Sequence, residues 1–230
     1  MCDASLWRDC TPDPAGLPIA KPVPPGRSIA DIAAWCLESH EGPLLPIGFS
    51  MGGIIALECL RQAPDRIAGL GLVSTNPGAD RPDRAPIRRR QQNAVKAGRL
   101  MDVVNEELVP SYFAAENGQR EELVQHVADM AAKIGPEAFI AQSEALRLRN
   151  SLWPTLETFT GPVLILCGTE DRVCLPALHE EMAAACVRPS LCFIPGAGHM
   201  LPIEQPVAVR SEIGAWLSRT GFTAVEEAGS

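Results

Sequence analysis

The chain has 230 residues, 46% of them hydrophobic and 21% charged, and carries a net charge of −8 at pH 7. That balance suits one globular domain with an insertion and excludes a disordered chain. The acidic charge gives no support for nucleic-acid binding, no apolar run approaches the roughly 20 residues of a membrane helix, and the opening MCDASLWRDC lacks the basic and apolar regions of a secretory signal.

Residues 1–27 are rich in proline and turn formers and predict irregular structure, with at most a short strand over Leu17–Ala20. SIADIAAWCLE then puts Ile29, Ile32, Ala33 and Cys36 on one helical face, with Ser28 as N-cap. PLLPIGF predicts a short apolar strand that passes abruptly into a helix over Gly53–Gln62, stopped before Pro64. Pro46 cannot donate to a ladder, so it fits an edge strand best. RIAGLGLVST predicts a second strand. It lacks strict alternation, as expected where both faces of a parallel sheet are covered.

From Pro77 to Thr158 only helical patterns occur: Ala85–Ala97, Leu100–Leu108, Arg120–Ile134 and Pro136–Arg147. Strand character resumes over Gly161–Gly168, followed by a helix over Pro176–Cys186, a strand in SLCFIPG and a closing helix in VAVRSEIGAWLSR. In that last helix Val207, Ile213 and Trp216 stand at apolar spacings, and the tail TAVEEAGS reads as frayed. The alternation predicts an α/β fold, a mostly parallel sheet flanked by helices. Residues 1–76 and 159–222 form its two parts, 77–158 a helical insertion and 223–230 a tail. The eight cysteines include no C-x-x-C pair, and no histidine lies at zinc-finger spacing from them. They read as reduced structural thiols of a cytoplasmic protein.

The junction PIGFSMGG carries the chemistry. Gly48, Ser50 and Gly52 fit G-x-S-x-G, with a strand before and a helix after. A sharp strand-to-helix turn exposes the serine hydroxyl, strains its backbone and crowds side chains two residues either side, which glycines relieve. The helix N-terminus also aims its amides at the site. By composition alone the pattern turns up in such a chain with a probability of about 0.08, so the flanking elements matter.

Three blocks resemble the α/β-hydrolase superfamily, in the branch of small esterases related to pimeloyl-carrier-protein methyl ester esterases: GFSMGGIIALECLRQAPDRIAGLGLVSTNP, GPVLILCGTEDRVCLPALHEEMA and IPGAGHMLPIEQPVAV. They keep the family's order of nucleophile, acid and histidine, each just after a strand. The resemblance implies Ser50 as nucleophile, Asp171 in GTEDRV as the acid and His199 in GAGHML as the base. Adjacent Glu170 is a rival acid. His40, His126 and His179 lie in predicted helices or helix ends. Met51 would give its backbone amide to the oxyanion hole. Met200 and Leu201 either line an acyl pocket or simply pack. No metal or organic cofactor is implied.

The resemblance also implies a second oxyanion donor, in a loop just past a His-Gly pair. MCDASLW resembles the sequence immediately downstream of that loop, and the chain has no upstream His-Gly. Coding sequence before Met1 is expected to supply an apolar strand and that pair; the alternative is a truncated relative. The insertion 77–158 corresponds to the family's substrate-selecting lid. Over residues 81–99 it holds Arg81, Arg84, Arg88, Arg89, Arg90, Lys96 and Arg99 against Asp83 alone. That stripe is either a solvated helix face or a dock for an acidic carrier protein or a carrier-linked ester.

The expected function is a serine hydrolase cleaving a carboxylic ester or thioester, of a small molecule or a carrier-linked acyl group. Carbon–carbon or lactone hydrolysis uses the same three residues. A catalytically impaired relative acting as a binding module is the rival from another class.

Overall fold

Strands that follow one another in the chain are also neighbours in space. The computed structural model describes residues 2–10 and 28–221. Within them β1 (Ile47–Phe49), β2 (Leu70–Val73), β3 (Pro162–Gly168) and β4 (Arg188–Ile194) form one parallel sheet of order β1-β2-β3-β4. The strand expected over Leu17–Ala20 and the tail fall outside the described residues.

The first helix, α1 (Ile29–Glu38), begins at Ser28 through a reciprocal pair: the serine hydroxyl accepts the Asp31 N–H and the Asp31 carboxylate accepts the Ser28 N–H. Helix α2 (Met51–Gln62) starts directly after Ser50, two residues earlier than the sequence predicts. β1 is shorter than PLLPIGF suggests and lies at one edge of the described sheet. Pro46 precedes it, offering only its carbonyl, which accepts the Gly71 N–H at 2.9 Å.

The sheet sorts its side chains by parity. Leu70, Leu72, Val163 and Ile165 enter one apolar cluster with α1 and α2, while Val73, Leu164 and Leu166 enter another. All seven residues of β3 are buried, so the strand reads as a continuous apolar run.

Between β2 and β3 the regular structure is entirely helical: α3 (Arg84–Lys96), α4 (Leu100–Asp102), α5 (Val109–Tyr112), α6 (Glu121–Arg147) and α7 (Trp153–Thr158). The single helix expected over Leu100–Leu108 is instead a turn of α-helix followed by a π-helical stretch, Val103–Leu108. Pro110 explains the widening. It has no N–H and crowds the carbonyl four residues back. Within α6, Gly135 leaves helical geometry at φ 83°, dividing it where the sequence predicts two helices.

The ends of this segment are joined by buried charge. Asp80 accepts from Arg88 at 2.8 and 2.9 Å and from Arg149 at 2.9 Å. All three side chains are at most 15% exposed. The basic stripe is therefore not a uniform solvated face: Arg88 is buried on Asp80, while Arg81 pairs with Asp83 and Arg90 with Glu107.

After β3 come α8 (Pro176–Ala185), then β4, α9 (Leu201–Glu204) and α10 (Pro206–Thr220). One expectation for α10 fails. Val207 is 66% exposed, and the buried stripe is Val209, Ile213 and Trp216. Those three recur at four- and three-residue steps, whereas Val207 is two residues from Val209 and faces away. All eight cysteines are free thiols.

Candidate active site

The turn between β1 and α2 has no spare residue, and Ser50 absorbs the change of direction at φ 50°, ψ −113°. A non-glycine residue held there costs about 1–3 kcal/mol, so its surroundings must hold it. The Ser50 N–H donates to the Val73 carbonyl at 2.9 Å, and its own carbonyl accepts from Thr75 Oγ1 at 2.6 Å and Gly53 N–H at 3.0 Å. Its side chain makes no capping bond to α2, which leaves the hydroxyl to face His199.

The glycines divide differently from the motif's expectation. A β-carbon on Gly48 would fall 2.2 Å from the Gly52 backbone, but one on Gly52 would meet nothing within 4 Å. The second tight position is Gly53, outside the motif, where a β-carbon would come 2.6 Å from Thr75 Oγ1. The clash expected on both sides of the serine is thus real at Gly48 and absent at Gly52, whose missing side chain would point into open space.

Ser50, Asp171 and His199 come together. Ser50 Oγ lies 3.1 Å from His199 Nε2, and His199 Nδ1 lies 3.0 Å from Asp171 Oδ2. Asp171 and His199 are 2% and 3% exposed. Since the carboxylate accepts at Nδ1, the ring proton sits there and the Nε2 lone pair faces the hydroxyl. This arrangement can draw the proton from Oγ. The other Asp171 oxygen accepts the Val173 and Cys174 N–H groups, each at 2.8 Å. Burial works to raise the Asp171 pKa, but the His199 hydrogen bond and charge, with those two amides, outweigh it and keep the carboxyl below its ordinary range. The imidazole is flanked by Phe49 and Tyr112, with ring centroids 5.2 and 5.7 Å away.

Glu170 turns elsewhere, accepting the Ala115 N–H at 3.0 Å. Met51 is the first residue of α2, where helical N–H groups lack intrahelical partners. Met200 and Leu201 are 1% and 0% exposed in the core, which is packing rather than a pocket wall. Among the described residues no cluster of three or more His, Cys, Asp or Glu could hold a metal ion.

Three supporting residues escaped the sequence reading. Glu204, 4% exposed, accepts from the Gly198 N–H at 2.9 Å, the Ala114 N–H at 2.8 Å and the Asn117 side-chain amide at 3.0 Å. It therefore bonds the histidine loop to the segment after α5. Burial pushes its pKa up against the pull of those donors. Thr75 and His179, both 0% exposed, stand behind the Ser50 turn. Only the last member of the GHMLPIE run hints at Glu204's role, an acid that an apolar stretch would otherwise exclude; nothing local marks Thr75.

Comparison with known proteins agrees with the fold. Residues 4–212 match the alpha/beta hydrolase family. A Bacillus subtilis protein provisionally named 2-succinyl-6-hydroxy-2,4-cyclohexadiene-1-carboxylate synthase is 26% identical over 196 residues, 78% of this chain and 68% of that protein. A pimeloyl-[acyl-carrier protein] methyl ester esterase from Aromatoleum aromaticum is 35% identical over 81 residues, 31% of this chain and 32% of that protein. In fold, a thermophilic esterase from Thermogutta terrifontis superposes with a TM-score of 0.85 at 24% identity, over 95% of this chain and 86% of that one. With the sheet order, the Ser50 turn and a family match spanning almost the whole length, the chain belongs to the alpha/beta hydrolase family.

Proposed function

We propose that this hydrolase cleaves a carboxylic ester or thioester through an acyl-enzyme on Ser50. The observation that carries the reading is the row Ser50 Oγ–His199 Nε2 at 3.1 Å and His199 Nδ1–Asp171 Oδ2 at 3.0 Å. His199 takes the Ser50 proton as Oγ attacks the carbonyl, then gives it to the leaving alcohol or thiol. Asp171 holds the ring and stabilises the imidazolium. The Met51 N–H faces the oxyanion. Water, deprotonated by His199, then releases the acid and restores Ser50.

The substrate is a small-molecule ester or a carrier-linked acyl group, a reading supported by the partial match to the pimeloyl-carrier esterase. Residues 77–158 serve as a lid that selects it. Support comes from Tyr112, whose ring lies 5.7 Å from that of His199 and whose carbonyl accepts the Met200 N–H at 3.0 Å. An acidic carrier would meet the cations on and beside α3. There a cleft of about 530 Å³ is lined by Arg89, Arg90, Arg99 and Glu107, none of them part of the Ser50 site.

A fluorophosphonate probe tests the reading. The wild-type protein is expected to label on Ser50, and Ser50→Ala is expected to lose both labelling and at least about 10⁴-fold of its ester turnover. A well-folded wild-type protein that resists the probe would leave a binding role in its place. Labelling without turnover of any ester or thioester in a broad panel would point instead to the chemistry named for the Bacillus subtilis relative.

A further inference from the structure

Behind the Ser50 turn lies a second strained turn. Among the described residues only two that are not glycine have positive φ: Ser50 at 50° and Ser74 at 45°. Ser74 follows β2, the strand beside β1. It is fully buried, and its hydroxyl has no hydrogen-bond partner. A kink with an unsatisfied buried hydroxyl persists only where its surroundings impose it. Here the surroundings are the Leu166 carbonyl, which accepts the Ser74 N–H at 2.9 Å, and the ring of His179, which accepts the Thr75 N–H at 3.2 Å.

The proton on His179 is fixed by its partners. The Thr75 N–H can only donate, so Nε2 is a lone pair; the Leu175 carbonyl, 3.1 Å from Nδ1, can only accept, so Nδ1 bears the hydrogen. The ring is neutral, in one tautomer, at full burial. What it holds is Thr75, whose hydroxyl donates to the Ser50 carbonyl at 2.6 Å, the shortest of that oxygen's hydrogen bonds.

The Ser50 carbonyl and the Met51 N–H belong to one peptide group. That group is planar and trans, so pinning the oxygen fixes the direction of the N–H at the opposite end. A hydrogen bond to the oxygen also polarises the amide and strengthens the N–H as a donor. We propose that Thr75, held by the His179 ring, is a positioning residue that aims the Met51 N–H at the oxyanion through the shared peptide plane. This rests on the reading of Ser50 as nucleophile. Gly53 is the companion requirement, since any β-carbon there would displace the Thr75 side chain.

The experiment compares two isosteric pairs in the full chain, with an activated aryl ester as substrate and fluorophosphonate labelling of the wild type as reference. Thr75→Val replaces the hydroxyl by a methyl of similar size and is expected to lower kcat by about tenfold or more, towards the roughly 10²–10³ of a lost oxyanion donor, with KM nearly unchanged. Thr75→Ser restores the hydroxyl and is expected to recover most of kcat. His179→Gln keeps an acceptor at the Nε2 position and is expected to stay close to wild type. His179→Asn keeps the donor to Leu175 but loses that acceptor, and is expected to behave like Thr75→Val. A folded Thr75→Val with kcat within about twofold of wild type overturns the proposal, as does equal damage from His179→Gln and His179→Asn. If Thr75→Val fails to fold, the histidine pair decides. A folded wild-type protein that the probe does not label removes the Ser50 reading itself, and the proposal with it; a labelled wild type confines any failure to Thr75 and His179.

Discussion

The turn carrying Ser50 and the loop carrying His199 meet across 3.1 Å, yet they are held by different forces. The first is a matter of backbone. Ser50 is forced between a strand and a helix that leave no slack, Gly48 lies against the Gly52 peptide, and the bonds that steady the serine come from β2 and the residues just after it. The second is a matter of one buried side chain and of contacts with another segment. Between β4 and α9 the Gly198 N–H donates to Glu204, which also accepts two donors from the segment after α5, and the Met200 N–H is taken by the Tyr112 carbonyl. A turn built from its own backbone leaves no room for an added atom at its tight positions. A loop built on one buried carboxylate depends on every element that carboxylate touches.

Substitutions at the two sites should break this contrast or sharpen it. The largest effect is expected at Gly48→Ala. The added methyl would meet peptide atoms, not a side chain that can swing aside, and should destabilise the protein by at least about 3 kcal/mol in chemical denaturation. Next comes Glu204→Gln, which replaces an acceptor by an amide that faces three donors. A loss of about 1–3 kcal/mol is expected, with a fall in kcat as the histidine loop loosens; a change below about 0.5 kcal/mol would mean the loop is held by other contacts. Gly52→Ala should do the reverse of Gly48→Ala, since it fills open space in the first turn of a helix and can add up to about 1 kcal/mol of stability.

The smallest effect is one of pH. Burial lowers the His179 pKa below its ordinary 6.5, against the Leu175 hydrogen bond and the Asp171 charge, while the His199 charge lowers it further. The unfolded chain therefore binds this proton more readily than the folded one. Its contribution to stability is complete above 6.5 and fades as pH falls through the folded value. Thermal unfolding from about pH 8 to about pH 5 should show a falling midpoint, and His179→Gln, with nothing to protonate there, should fall less.

The sheet was legible because its strands are short apolar runs with turn residues at both ends, and their order follows the chain. Strand lengths were not: PLLPIGF keeps only Ile47–Phe49 as strand, since pairing with β2 sets the ends. Ser50 follows from its G-x-S-x-G turn, Asp171 and His199 from the family resemblance of the blocks that hold them, and the structure brings the three into contact. Thr75, His179 and Glu204 were not legible, because each acts through a partner more than two dozen or only a few residues away that nothing in its own neighbourhood announces. His179 looked like one more helical residue. Val207 misled because an apolar residue at a helix start fits more than one face, and only packing selects Val209.

Asp80 has a mechanical consequence. Its two arginines come from α3 and from just after α6, so the ion cluster closes the base of the whole helical excursion between β2 and β3. Splaying the two ends of that excursion apart would strand a buried charge at a cost of about 3–5 kcal/mol, a state rarer than about one molecule in a hundred. The two ends of the excursion therefore move as one piece, while Glu204 ties Ala114 and Asn117, far from those ends, to the histidine loop.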